Sequence, residues 1–79
     1  MFINKSDAGK NNLCGEKIAA LRMEMGISQR ALADRLQIAG LDMNKNAIQR
    51  IEAGKRFVTD IELKVMSCVL DISVDQLLE

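Results

Sequence analysis

S-Q-R-A-L-A-D-R-L from Ser28 to Leu36, Q-I-A-G-L-D-M after it, and N-K-N-A-I-Q-R-I-E-A-G-K-R from Asn44 to Arg56 decide the fold of this chain. The stretch reads as two short helices in tandem. Ser28 and Asn44 each stand where a short side-chain oxygen can accept from the free backbone N–H groups of a first helical turn. Gly54 supplies the left-handed residue that stops the second helix, and two cations, Lys55 and Arg56, follow it. Gly40 ends the first helix, with Leu41 folding back over its last turn in a Schellman arrangement.

Turned at about 100° per residue, the second helix places Ile48 and Ile51 on one side and Asn46, Gln49 and Arg50 on the other, with Lys45 on the N-terminal flank. Any solvated helix has a polar side. The chemistry of this one is narrower: Asn and Gln suit adenine, Lys and Arg suit guanine, and no carboxylate stands among them to repel phosphate. Glu52, the one acid of this helix, lies beside the core stripe. Two helices so arranged have the layout of a helix-turn-helix.

Further residues carry a resemblance. G-x-x-I-x-x-L-R from Gly15 to Arg22, G-I-S-Q at Gly26 to Gln29, A-L-A at Ala31 to Ala33, I-Q-R-I-E-A-G-K-R at Ile48 to Arg56 and E-L at Glu62 resemble the phage-repressor and Cro-like (XRE-type) helix-turn-helix family. The match runs from about Leu13 to the last residue. It implies an all-α, compact five-helix domain whose third helix lies in the major groove of duplex DNA. The connection from Leu36 to Asn44 departs from the family's tighter turn by several extra residues.

On that resemblance and the helical wheel, Lys45, Asn46, Gln49 and Arg50 are expected at base edges. Ser28, Gln29, Asn44, Lys55 and Arg56 are expected at phosphates from the adjoining helix ends. Arg22 lies one step from Leu21 and Glu52 one step from Ile51. The Arg and Glu of these two motifs pair in the resembling family, so they are read as a structural ion pair and not as DNA contacts.

Seventy-nine residues, 48% of them hydrophobic, support one core. The first eleven residues lack periodicity and are rich in polar residues, so 1–11 is expected as a flexible tail, or as an arm touching DNA through Lys5 and Lys10; 12–79 is the domain. Cys14, Ile18, Leu21 and Met25 share one face of a first helix beginning near Asn12 and ending at Gly26. Leu32, Ala33 and Leu36 form the inner face of the second. Thr59 with Glu62, and Ser73 with Gln76, are capping boxes opening a fourth and a fifth helix. Leu63, Met66, Ser67 and Leu70 line the fourth. Ile72, Leu77 and Leu78 are more apolar than a short fifth helix can bury: either they lid the core or they form the centre of a homodimer contact.

Net charge is zero but unevenly spread: Met1 to Arg56 carries ten Lys and Arg against six acids, and Phe57 to Glu79 one Lys against five. A basic end can face phosphate while an acidic end points away. With no histidine, no phosphate-cradling glycine loop and only two cysteines far apart, neither an enzyme nor a metal or other cofactor is expected. Phe2 and Phe57 are the only aromatics, too few to stack unpaired bases. No membrane-length apolar run or secretion signal stands out, so a cytoplasmic protein is expected. The expected function is a sequence-specific, double-stranded-DNA-binding transcriptional regulator, a dimeric repressor without a small-molecule ligand. The rival reading is a protein-interaction module of the same fold, an antitoxin or adaptor.

Overall fold

The computed structural model describes residues 10–79. They form five helices: α1 Gly15–Glu24, α2 Gln29–Ile38, α3 Lys45–Glu52, α4 Asp60–Val69 and α5 Val74–Leu77. Four begin at side-chain caps within their own first turn. Ser28 accepts from Ala31 N–H at 3.0 Å and Asn44 from Ala47 N–H at 2.9 Å. Thr59 with Glu62 and Ser73 with Gln76 close reciprocal capping boxes. α1 begins at Gly15, later than its periodicity suggests, with Cys14 at the cap position and no side-chain cap.

Four helices end alike, in a Schellman pair. After α2, Gly40 N–H donates to Gln37 C=O at 3.0 Å and Leu41 N–H to Leu36 C=O at 2.9 Å. The same pattern follows α1 at Gly26 and α3 at Gly54, and all three glycines have positive φ. α4 closes in this way too, but its left-handed residue is Asp71, at φ 54°. A Cβ in that conformation is strained.

α3 packs across α1 and α2, and α4 runs from α2 to α5. The core between them holds Cys14, Ile18, Leu32, Ala33, Leu36, Met43, Ile48, Ile51, Met66, Leu70 and Leu77. α1 crosses α3 closely enough that a Cβ on Gly15 would overlap the Ile51 carbonyl oxygen. Met25, expected on the inner face of α1, is exposed at its C-cap.

The long connection between α2 and α3 is tied down. Met43 inside it is buried, Met43 N–H donates to Leu41 C=O at 2.9 Å, and Gln37 Nε2 donates to Met43 C=O at 3.2 Å. Alternation of Leu41 and Met43 about Asp42 was the available sequence signal for this burial.

Two expectations are corrected. Lys10 and Asn11, expected within the tail, are tied to the domain: Asn11 N–H donates to Gly54 C=O at 2.9 Å, and Lys10 pairs with Glu16 while its stem lies against Gly54. Lys5 lies outside the described residues. Leu77, expected with Ile72 and Leu78 at the centre of a contact between chains, is 0% exposed within its own chain. It lids the core, because α5 folds back onto α4. Leu78 stays exposed and Ile72 half-buried.

Candidate nucleic-acid interface

α3 is anchored from beneath by Ile48 and Ile51, both fully buried. This fixes its opposite face outward. Lys45, Asn46, Gln49 and Arg50 are all exposed, and none makes a side-chain hydrogen bond or ion pair among the described residues. Their amide and cationic donors are therefore available to a ligand, and no acid shares the face.

The frame holding α3 is an ion pair joined to two neighbouring segments. Arg22 Nε donates to Glu52 Oε2 at 2.7 Å and Arg22 Nη2 to Glu52 Oε1 at 3.0 Å. Arg22 Nη1 also donates to Ile27 C=O at 2.9 Å, and Gln29 Nε2 to Glu52 Oε1 at 3.0 Å. The hydrogen bond to Glu52 holds the Arg22 guanidinium even further above neutrality than usual. One carboxylate so links α1, the first turn of α2 and the last turn of α3.

The residues expected at phosphates fall into two groups. Lys55 is exposed just past α3, and the side-chain oxygens of Ser28 and Asn44 cap their helices. Gln29 and Arg56 are engaged inside the molecule. Arg56 Nη1 meets Glu62 Oε1 at 3.0 Å and Nη2 meets Oε2 at 2.9 Å. The Arg56 hydrogen bond depresses the Glu62 carboxyl below its ordinary range, aided by Thr59 and opposed by burial.

A strap the sequence did not disclose supports this end of the face. Asn12 Nδ2 donates to Ile51 C=O at 3.1 Å and to Arg56 C=O at 2.8 Å, while its Oδ1 accepts from Gly15 N–H at 2.8 Å. Asn11 Nδ2 donates to Lys55 C=O at 3.2 Å. The carbonyls of Gly54, Lys55 and Arg56 are all taken, so the backbone presenting the two cations is fixed. The only sequence signal was an Asn pair ahead of α1.

Two interacting helices, the second with an unengaged amide-and-cation face, agree with the comparisons. A family model described as helix-turn-helix matches residues 18–77. The chain belongs to this helix-turn-helix family. α2 and α3 are the tandem pair of the motif, and double-stranded DNA is the partner the family implies. A solved structure, the restriction-modification controller protein C.AhdI from Aeromonas hydrophila, is similar over 80% of this chain and 84% of its own, with 28% identity and a TM-score of 0.66. A search of curated proteins returned no match.

Of the two cysteines, Cys14 is buried, and that burial pushes its thiol pKa up; Cys68 is exposed on α4. No cluster of potential metal ligands occurs among the described residues, and none of their helices is long and apolar enough to cross a membrane.

Proposed function

We propose that this helix-turn-helix protein is a transcriptional regulator that binds an operator as a homodimer and acts by occupying it, most simply as a repressor. The observation that carries the reading is the outer face of α3, four exposed donor side chains without an acid, held by two buried isoleucines. Lys45, Asn46, Gln49 and Arg50 read base edges. Lys55 contacts phosphate together with the first-turn N–H groups of α2 and α3 behind Ser28 and Asn44; Gln29 and Arg56 approach phosphate while held by Glu52 and Glu62. The likeness to a restriction-modification controller supports a regulatory use of the surface. It is a binding protein acting in the compartment that holds the DNA, not an enzyme.

A single reading helix covers few base pairs, which argues for two subunits on a two-fold axis with reading helices about 34 Å apart. With Leu77 in the core, the exposed Leu78 and half-buried Ile72 are the residues of the C-terminal set left for that contact.

Selection of bound duplexes from a random pool tests the proposal. Wild type should enrich a palindrome whose affinity falls steeply with salt, and Arg50→Ala should relax preference at one position of each half-site, costing on the order of 1–3 kcal/mol. Absence of any consensus would favour the protein-interaction reading. An unchanged consensus with Arg50→Ala would remove the base-reading assignment.

A further inference from the structure

Arg56 and Lys55 are adjacent in sequence and opposite in state. Lys55 is exposed and has no side-chain partner among the described residues. Arg56 is clamped. A guanidinium has five N–H donors. Two meet Glu62 end-on, at 3.0 and 2.9 Å, and one meets the Phe57 carbonyl at 3.1 Å. The Nε hydrogen and the second Nη2 hydrogen remain, side by side on one edge of the plane. The Arg56 side chain is 31% exposed, so part of it is open to a ligand.

Glu62 cannot readily swing aside when a phosphate arrives. Its Oε1 accepts from Thr59 N–H at 3.0 Å, and its own N–H donates to Thr59 Oγ1 at 3.2 Å. Moving the carboxylate would open the cap of α4. Arg56 thus offers a phosphate two hydrogen bonds at a site with no net charge, beside a fixed anion.

Resting on the DNA-binding reading above, we infer that Glu62 is a positioning residue that attenuates the interface: it fixes Arg56 as a neutral two-donor fork that sets where a phosphate sits while adding little electrostatic affinity. Affinity for a polyanion grows with the counterions that a protein's cations displace. An arginine already neutralised by its own carboxylate displaces few. Lys55 supplies charge at this end of the face, and Arg56 supplies geometry.

Glu62→Gln provides the test, because glutamine also closes a capping box and so keeps Thr59 satisfied while removing the charge. Full-length wild type and variant are titrated with the selected duplex across a salt series. The variant should bind more tightly by roughly two- to fivefold per subunit, the range a surface ion pair is worth. Its log K against log salt should steepen by about 0.9 per subunit. Damage to the fold lowers affinity, so a gain cannot come from misfolding. Arg56→Ala should abolish the gain when combined with Glu62→Gln. A gain that persists without Arg56 would show a general charge effect and overturn the inference. Wild-type binding with unchanged affinity and slope in Glu62→Gln would overturn it alone; no salt-dependent duplex binding by wild type would overturn the function with it.

Discussion

Removing Glu52 is expected to destabilise the domain more than any other single change to a charged residue. Its carboxylate accepts from Arg22 at 2.7 and 3.0 Å and from Gln29 at 3.0 Å, and the Arg22 and Glu52 side chains are only 14% and 8% exposed. Exposed pairs are worth about 0–1 kcal/mol, whereas breaking a buried one costs about 3–5. Arg22 would keep Ile27 C=O and some access to water, which places Glu52→Ala between these limits at about 2–3 kcal/mol. For a domain of this size that lowers Tm by roughly 10–20 °C. Urea denaturation followed by circular dichroism, with Arg22→Ala and the double variant completing a cycle, measures it. The two single losses should be strongly non-additive, since the double variant leaves no stranded charge. A Glu52→Ala cost below about 0.5 kcal/mol would show that water already screens the pair, and the reasoning would fail.

Three further expectations follow from particular residues. Asp71→Gly relieves the only positive φ on a non-glycine residue among those described, at a helix C-terminus where a carboxylate is also unfavourable; it should add about 1 kcal/mol, whereas Asp71→Ala should not, as judged by denaturant midpoints. Leu77→Ala should cost about 2–5 kcal/mol as a core cavity, while Leu78→Asp should leave stability within about 0.5 kcal/mol and weaken self-association in sedimentation; the reverse pattern would contradict the burial of α5. Because Arg56 holds Glu62 below the ordinary glutamate value, the stability from this group is complete above about pH 4.3 and is lost as pH falls through the depressed folded value. Glu62→Gln should flatten that acid limb, and an identical pH profile would contradict the assignment.

What could be read in the sequence was what is local. The caps at Ser28, Asn44, Thr59 and Ser73 each act on a residue three positions ahead, and the stops at Gly26, Gly40 and Gly54 depend on one residue's φ, so helix limits are encoded side by side. Asn12 carried no comparable signal, because its partners Ile51 and Arg56 lie 39 and 44 residues away. Met43 sits in a loop, where no helical period marks it as core. Hydrophobicity alone could not divide Leu77 from Leu78: a core lid and an interface have the same composition, and only the path of α5 separates them. A run of two cations likewise does not say which one is already paired.

The strap at Asn11 and Asn12 also bears on the order in which the molecule assembles. The α2–α3 connection closes through partners a few residues apart, Leu36 with Leu41 and Gln37 with Met43, so little loop entropy opposes it. The strap's bonds span 39 to 44 residues and require α3 and its C-cap to be in place already. The tandem helices should therefore form early and the strap close last, because distant contacts come after the chain between them is ordered. In native-state hydrogen exchange, Asn11 N–H should open at lower free energy than the N–H groups of Ile48 and Ile51. Equal protection would mean that the strap belongs to the cooperative core. If the strap does open first, the loop carrying Lys55 and Arg56 loosens while α3 stays folded, so partial unfolding begins just past the C-terminal end of α3.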